Sequence, residues 1–231
     1  SDNITWSGTF TPATNAEDPT NTLSLATSYT DTAGNNGPVA TTANYEVENR
    51  APSANSFTMS ATQLKIGETA TVQLVFSEAV IGFSSTDDID APNGSLSTMT
   101  SSDNITWSGT FTPATNAEVA NKRLSLGTSY TDLAGNNGSA KTTPYYKVDT
   151  RKPTLSEVTV VSTPTDDNTP NYIFSSNEAG TISYGGACDS SRSSASTNNN
   201  TITFNALNDG TTYSDCTITV TDASGNASDA L

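Results

Sequence analysis

Apolar and polar residues alternate along several short stretches of this chain, and a period of two residues is the mark of a half-buried β-strand. Around residues 70–77, Ala70, Val72, Leu74 and Phe76 point one way while Thr71, Gln73 and Ser77 point the other. Ile105, Trp107, Gly109 and Phe111 form a second inward row, with Thr106, Ser108 and Thr110 outward. Leu124, Leu126 and Tyr130 mark a third row, and Tyr146 with Val148 marks the last of this series. Tyr172/Phe174, Ile182/Tyr184, Ile202/Phe204 and Cys216/Ile218/Val220 continue the plan further along. Turn formers separate the rows: Ile66-Gly67-Glu68, Pro92-Asn93-Gly94 and Gly135-Asn136-Asn137-Gly138. No helical period of useful length is visible, so the pattern predicts an all-β chain.

The pattern also repeats. Ser1–Pro52 lies over Ser102–Pro153 without a gap at a shift of 101 residues, with 36 of the 52 positions identical. A solenoid unit runs about 20–50 residues. This period instead matches an immunoglobulin-like sandwich, with about 100 residues and roughly seven short strands. Pro-marked joints at Asn49-Arg50-Ala51-Pro52 and Thr150-Arg151-Lys152-Pro153 follow strand-like stretches. The expected organisation is therefore a row of tandem immunoglobulin-like β-sandwich domains in an elongated array. Residues 1–49 read as the C-terminal part of one domain without its first strands. Residues 50–150 read as a complete domain, and 151–231 as a third of a different subtype without its last strand. Either the ends are cut from a longer protein or a neighbour's strands complete them.

Charge narrows the function classes. The net charge is −15, with nine Lys and Arg and no histidine. Nucleic acid and anionic membrane surfaces both demand basic clusters, so neither is an expected partner. No run approaches the ~20 apolar residues that span a bilayer, which leaves no direct membrane insertion. Without histidine a Ser- or Cys-based triad lacks its usual base, and there is no phosphate loop or dinucleotide fingerprint. The chain is therefore expected not to be an enzyme.

Cys188 and Cys216 read as one structural disulfide and an oxidising compartment, or otherwise as two reduced thiols. Trp6 and Trp107 fall in register with Ile and Phe, which favours a sandwich core over carbohydrate stacking. Tyr29 and Tyr130 are placed like corner tyrosines tied to the backbone. The Ser/Asn-rich run Ser190–Asn200 reads as a flexible, exposed loop.

The acidic residues carry the candidate chemistry. In a sandwich, the last strand of one unit ends at the pole where the next unit presents its second-to-third-strand turn and the turn before its own last strand. Asp149, Glu178 and Asp222 occupy those positions at the second joint, and Glu48, Glu78 and Asp132 occupy them one joint earlier. Asp103 is a further candidate for that earlier joint. Asp31 and Asn35, in the first copy of the motif TDxxGN, belong to a joint before it. Converging carboxylates repel, and a hard cation with oxygen ligands relieves the repulsion. Asn136 and Asn226, with backbone carbonyls, are candidates for the remaining positions of a Ca2+ site. The competing reading is that Asp and Asn of TDxxGN only organise a turn.

At these residues the chain resembles the bacterial Ig-like domains found in tandem in giant secreted adhesins and biofilm-associated surface proteins. The carrying motifs are Ile66-Gly67-Glu68-Thr69-Ala70-Thr71-Val72, Phe76-Ser77-Glu78-Ala79-Val80, Thr131-Asp132-Leu133-Ala134-Gly135-Asn136 and Val148-Asp149-Thr150…Pro153. The third segment resembles a neighbouring class through Asp167-Asn168-Thr169-Pro170, Gly185-Gly186-Ala187-Cys188 and the run Asp215–Asp222. The resemblance implies an extracellular stalk with interdomain calcium ions, held at Asp149, Glu178 and Asp222 and at Glu78 and Asp132. Glu48-Asn49 departs from the family's usual Asp-Thr. The expected function is a non-catalytic spacer, with neighbouring domains of the same long chain as partners and self-association as a further option. The alternative is a binding module for glycan, host protein or another copy.

Overall fold

Alternation lets a pleated strand bury one face and wet the other, and each predicted row is found on a strand or beside one. A computed structural model describes residues 4–231. The first unit holds β1 (Glu17–Asn21), β2 (Ser24–Leu25), β3 (Ala40–Thr41) and β4 (Tyr45–Glu48). The middle unit opens with β5 (Ala54–Met59), β6 (Gln63–Lys65), β7 (Ala70–Phe76), β8 (Ile89–Asp90) and β9 (Gly94–Leu96). It continues through β10 (Thr106–Pro113), β11 (Glu118–Lys122), β12 (Ser125–Leu126), β13 (Lys141–Thr142) and β14 (Tyr146–Asp149). The third unit holds β15 (Leu155–Thr159), β16 (Asn171–Ser176), β17 (Gly180–Gly185), β18 (Ser194–Ala195), β19 (Asn198–Thr203) and β20 (Thr217–Thr221). One helical turn, α1 (Ser85–Asp88), interrupts the strands. A single turn is too short to write a 3.6-residue period into the sequence.

In the middle unit one sheet runs β5-β7-β10-β9, and the other is built from β11-β14-β6 and β13-β12-β8. The register sets Trp107 opposite Leu74 and Phe111 opposite Ala70, so inward rows on neighbouring strands meet. Phe57, Val72, Leu74, Phe76 and Phe111 from the first sheet share one core with Leu64, Leu126, Tyr146 and Val148 from the second and with Leu124 between β11 and β12. That shared apolar layer is what holds the two sheets face to face. Trp107 packs edge-on against Phe83 with ring centres 4.8 Å apart, as a core residue.

The third unit repeats the plan with sheets β15-β16-β19 and β18-β17-β20 around Phe174, Ile182, Ile202, Ile218 and Val220. Cys188 and Cys216 form a disulfide across 28 residues, with Cα atoms 5.3 Å apart. Residues 227–231 turn back along β20, where Ile218 and Leu231 exchange both backbone hydrogen bonds at 3.0 Å.

Two expectations change here. The run Ser190–Asn200 is not a loose loop, because β18 and the start of β19 lie within it. Asn200 is fully buried and satisfied at both ends of its amide. Its oxygen accepts from Arg192 Nη2 and the Ser196 amide, both at 2.8 Å, and its nitrogen donates to the carbonyls of Ser196 and Asn198, also at 2.8 Å. Polar composition reports average hydrophilicity, and it cannot reveal a buried polar residue whose partners order a turn.

The second change concerns Trp6, which is 81% exposed rather than in a core. The 17 residues from Ser1 to Glu17 are identical to those from Ser102 to Glu118. Yet the described part of the first copy forms no strand before Glu17, while the second copy forms β10. The reason is the neighbour: β10 is hydrogen-bonded between β7 and β9, and among the described residues the first unit has no counterpart of either.

Candidate functional site

The motif TDxxGN recurs as Asp31–Asn35, Asp132–Asn136 and Asp222–Asn226, and all three copies close the same turn. The Asp carboxylate accepts from the Asn backbone amide at 2.9 Å in each copy. Its other oxygen accepts from the Asn side-chain amide at 2.9, 2.8 and 3.0 Å. The intervening Gly135 has φ of +92°, a left-handed conformation that a side chain would strain. Burial pushes the Asp132 and Asp222 carboxyls up, but the hydrogen bonds from Asn136 or Asn226 and the turn amides outweigh it and leave both below the ordinary value. For exposed Asp31 the bonds from Asn35 lower the carboxyl directly.

A tyrosine fastens each of the first two turns. Tyr130 donates to the carbonyl of Ser139 at 2.7 Å, and Tyr29 does the same to Pro38 at 2.9 Å. The Tyr130 ring is buried and lies against Gly138, where an added Cβ would fall 2.0 Å from a ring carbon. Gly138→Ala is therefore expected to cost about 1–3 kcal/mol by overpacking, read as a lowered denaturation midpoint of the middle unit. An unchanged midpoint would show that the ring has room to move.

These turns sit at the joints. At the second joint, the buried Asn226 donates its side-chain amide to the backbone carbonyl of Asp149 at 2.9 Å, and its amide oxygen accepts from the Ile66 backbone N–H at 3.0 Å. Ser224 donates its hydroxyl to the Asp149 carboxylate at 2.6 Å, and Lys147 reaches Ser224 at 3.3 Å. Lys152 pairs with Asp229 at 2.7 Å. One joint earlier, Asn136 makes the equivalent contact more loosely, donating to the Glu48 carbonyl at 3.4 Å. The Glu48-Asn49 departure keeps part of the design: Asn49 accepts from the Ala16 amide at 2.7 Å, as Thr150 accepts from Ala117 at 3.0 Å.

The predicted carboxylates fall into two neighbourhoods. Burial is the main cause that holds the Glu78 carboxyl above its ordinary value, and the charges of Asp132, Glu48 and Glu17 add to it. Glu178 is raised first by burial and then by Glu118, Asp149 and Asp222, against the opposing charge of Arg151 at 3.6 Å. Among the described residues, however, no three Asp, Glu, His or Cys side chains stand close enough to close around an ion. Asp132 and Asp222 direct both carboxylate oxygens to their own turns, and the Asn226 amide is fully engaged, with Asp149 and Ile66 across the joint and with Asp222 in its own turn. Asp103 likewise serves its own loop, accepting from Ser101, Ile105 and Thr106, which lowers its carboxyl. Sequence reasoning had no signal for Ile66, 160 residues from its partner Asn226, because that contact runs through a backbone N–H.

Residues 1–47 and again residues 48–148 match the bacterial Ig-like domain family. The chain belongs to that family. No curated protein matches it. Two solved structures are similar at low identity. The D0–D1 domains of intimin share 14% identity over 77% of this chain and 97% of that one, with a TM-score of 0.29. FdeC, an Escherichia coli adhesin, shares 13% over 94% of this chain and 86% of that one, with a TM-score of 0.37. Among the described residues of the Ig-like units, no helix is long and apolar enough to cross a membrane.

Proposed function

We propose that this Ig-like chain is a non-catalytic, extracellular spacer of a large bacterial adhesin, in which each joint sets the angle between successive units. The reading rests on the joint being built twice in one way: a TDxxGN asparagine of one unit donates to the carbonyl of the residue that ends the previous unit's last strand. Repetition of a contact between units, rather than within a cleft, is what a stalk requires. The disulfide fits a chain that works outside the cell.

Calcium is the second part of the proposal. Glu48, Glu78 and Asp132 at one joint, and Asp149, Glu178 and Asp222 at the other, supply the hard oxygen donors that it takes. A bound cation would offset the mutual repulsion of these carboxylates, on top of the direct hydrogen bonds. Small-angle scattering in millimolar calcium and then in excess chelator tests it, with a longer maximum dimension expected in calcium. Identical profiles would remove calcium from the reading. Asn226→Ala should shorten the mean extension in both conditions, and an unchanged profile would remove the hydrogen-bonded joint.

Acid should act like the cation over a limited range. Burial holds the Glu78 and Glu178 carboxyls up first, and charges add to it; the part that Glu48 and Glu17, or Glu118 and Asp149, contribute from the previous unit is a penalty on docking, full above the raised value and absent below the ordinary one. In chelator, extension should therefore increase as pH falls from neutral toward the ordinary carboxylate range. Further acid protonates Asp132 and Asp222, which are held low, and the turns then lose stability. A monotonic loss of extension from neutral pH downward would contradict the assigned repulsion.

A further inference from the structure

The middle unit has a basic corner whose charges the fold does not require, as its own repeat shows. There the chain passes twice between the two halves of the second sheet, from β11 to β12 and from β13 to β14. The backbone ties the two passages together. The Leu124 amide donates to Thr143 Oγ1 at 3.0 Å, and the Thr143 amide donates to the Leu124 carbonyl at 3.1 Å. The first unit builds the same corner: the Leu23 amide donates to Thr42 Oγ1 at 3.0 Å, and the Thr42 amide to the Leu23 carbonyl at 2.9 Å. Only the side chains around it differ. Lys122, Arg123, Lys141 and Tyr145 stand where the first copy has Asn21, Thr22, Ala40 and Asn44.

These cations are not consumed by the fold. Arg123 lies over the Tyr145 ring, its guanidinium carbon 3.7 Å from the ring centre, and donates from Nη1 to Thr142 Oγ1 at 3.3 Å. Arg123, Lys141 and Tyr145 are exposed, and Lys122 is half-buried. Among the described residues the ion pairs are made by Arg50, Arg151 and Lys152, and none reaches Lys122, Arg123 or Lys141. Lys147 and Lys152, which replace Glu46 and Ala51 of the first copy, are engaged with Ser224 and Asp229 at the second joint. The corner thus gathers three of the nine basic residues of an acidic chain, without acidic partners. Asp90, beyond β12 in the row of Ser125 and Thr142, bounds it on one side.

We propose that this corner binds a carboxylate-bearing polysaccharide. Stacking on Tyr145 holds the guanidinium plane of Arg123, and a planar fork matches a carboxylate through paired N–H donors. Lys122 and Lys141 meet the carboxylates of neighbouring sugars as point charges. The exposed aromatic ring of the corner already lies under Arg123, whereas a protein partner would centre on an apolar anchor. The inference stands apart from the calcium and stalk readings, since the corner lies within one unit and uses none of the joint residues.

The test uses the full chain in chelator at low salt, with a galacturonate oligomer as probe and a neutral glucan oligomer of equal length as control. Calorimetry should show saturable binding of the galacturonate, none of the glucan, and weakening as salt is raised. The combined change Lys122→Asn, Arg123→Thr and Lys141→Ala installs the residues with which the first copy forms this corner. The unfolding midpoint should therefore hold while affinity falls about tenfold or more. Lys141→Ala alone, which removes no hydrogen bond of the described residues, should weaken binding in the same direction. Absence of saturable binding overturns the proposal, and so does an affinity that these variants keep. Equal affinity for a DNA oligonucleotide of the same charge would make the corner an unselective anion surface and overturn it too. Concentration-dependent dimers that the triple variant abolishes would assign the corner to an acidic face of a second copy, with the same consequence.

Discussion

Phe111→Ala is expected to destabilise the middle unit by about 3–5 kcal/mol, while Phe10→Ala in the same local sequence should change stability by less than about 1 kcal/mol. Phe111 is fully buried between Tyr146 and the β7 and β9 rows, so truncation loses its transfer energy and leaves a cavity. Phe10 touches Tyr45 but shows half its surface to solvent, so most of its apolar area is wet in both states. Urea denaturation of the two variants, followed through tryptophan emission and far-ultraviolet dichroism, measures the difference. Equal losses would mean that the first unit is closed in solution, and a small loss at Phe111 would dissolve the assigned core.

Breaking the disulfide should have the second large effect, confined to the third unit. On the chain-entropy account, closing a 28-residue loop is worth about 3–4 kcal/mol. The core of that unit is smaller than that of the middle unit, with six buried apolar members in its cluster, so it has less stability to lose. Reductant, or the double change Cys188→Ser and Cys216→Ser, should lower the unfolding midpoint of the third unit and leave the cysteine-free middle unit where it was. A shift of both transitions together would mean that the joint couples the two units into one cooperative block. No shift in either would mean that the bridge constrains nothing the fold does not already hold.

Much of the architecture was legible because sheet formation follows alternation. Val72, Leu74, Phe111, Tyr146, Val148, Phe174 and Val220 were identifiable as inward residues from period alone, and all are buried. The TDxxGN turns were also legible, since Asp and Asn carry the groups that close such a turn and Gly supplies the positive φ. The joints were legible only in part. Their location followed from the repeat and from the poles of a sandwich. The contact made there followed only in part: a reading built on charge pointed to carboxylates, and the Asp149 carboxylate does accept from Ser224, but the contact common to both joints runs from the amides of Asn136 and Asn226 to main-chain carbonyls. A backbone acceptor is common to every residue, so nothing in a sequence marks which carbonyl will be used.

Ser1–Glu17 and Ser102–Glu118 mark the boundary between the two kinds of information. Their identical residues determine an identical capacity, a strand with Trp and Phe on its inner face. Among the described residues that capacity is realised only in the second copy, where β10 pairs with β7 and β9 and Leu74, Leu96 and Phe83 cover the rings. Strand pairing and apolar burial are contributions of a neighbour, distant in sequence, and they cannot be stored in the residues that receive them. The sequence by itself determined the units, their alternating faces and their turns. The tertiary structure alone decided which faces are covered and which amides lock the joints.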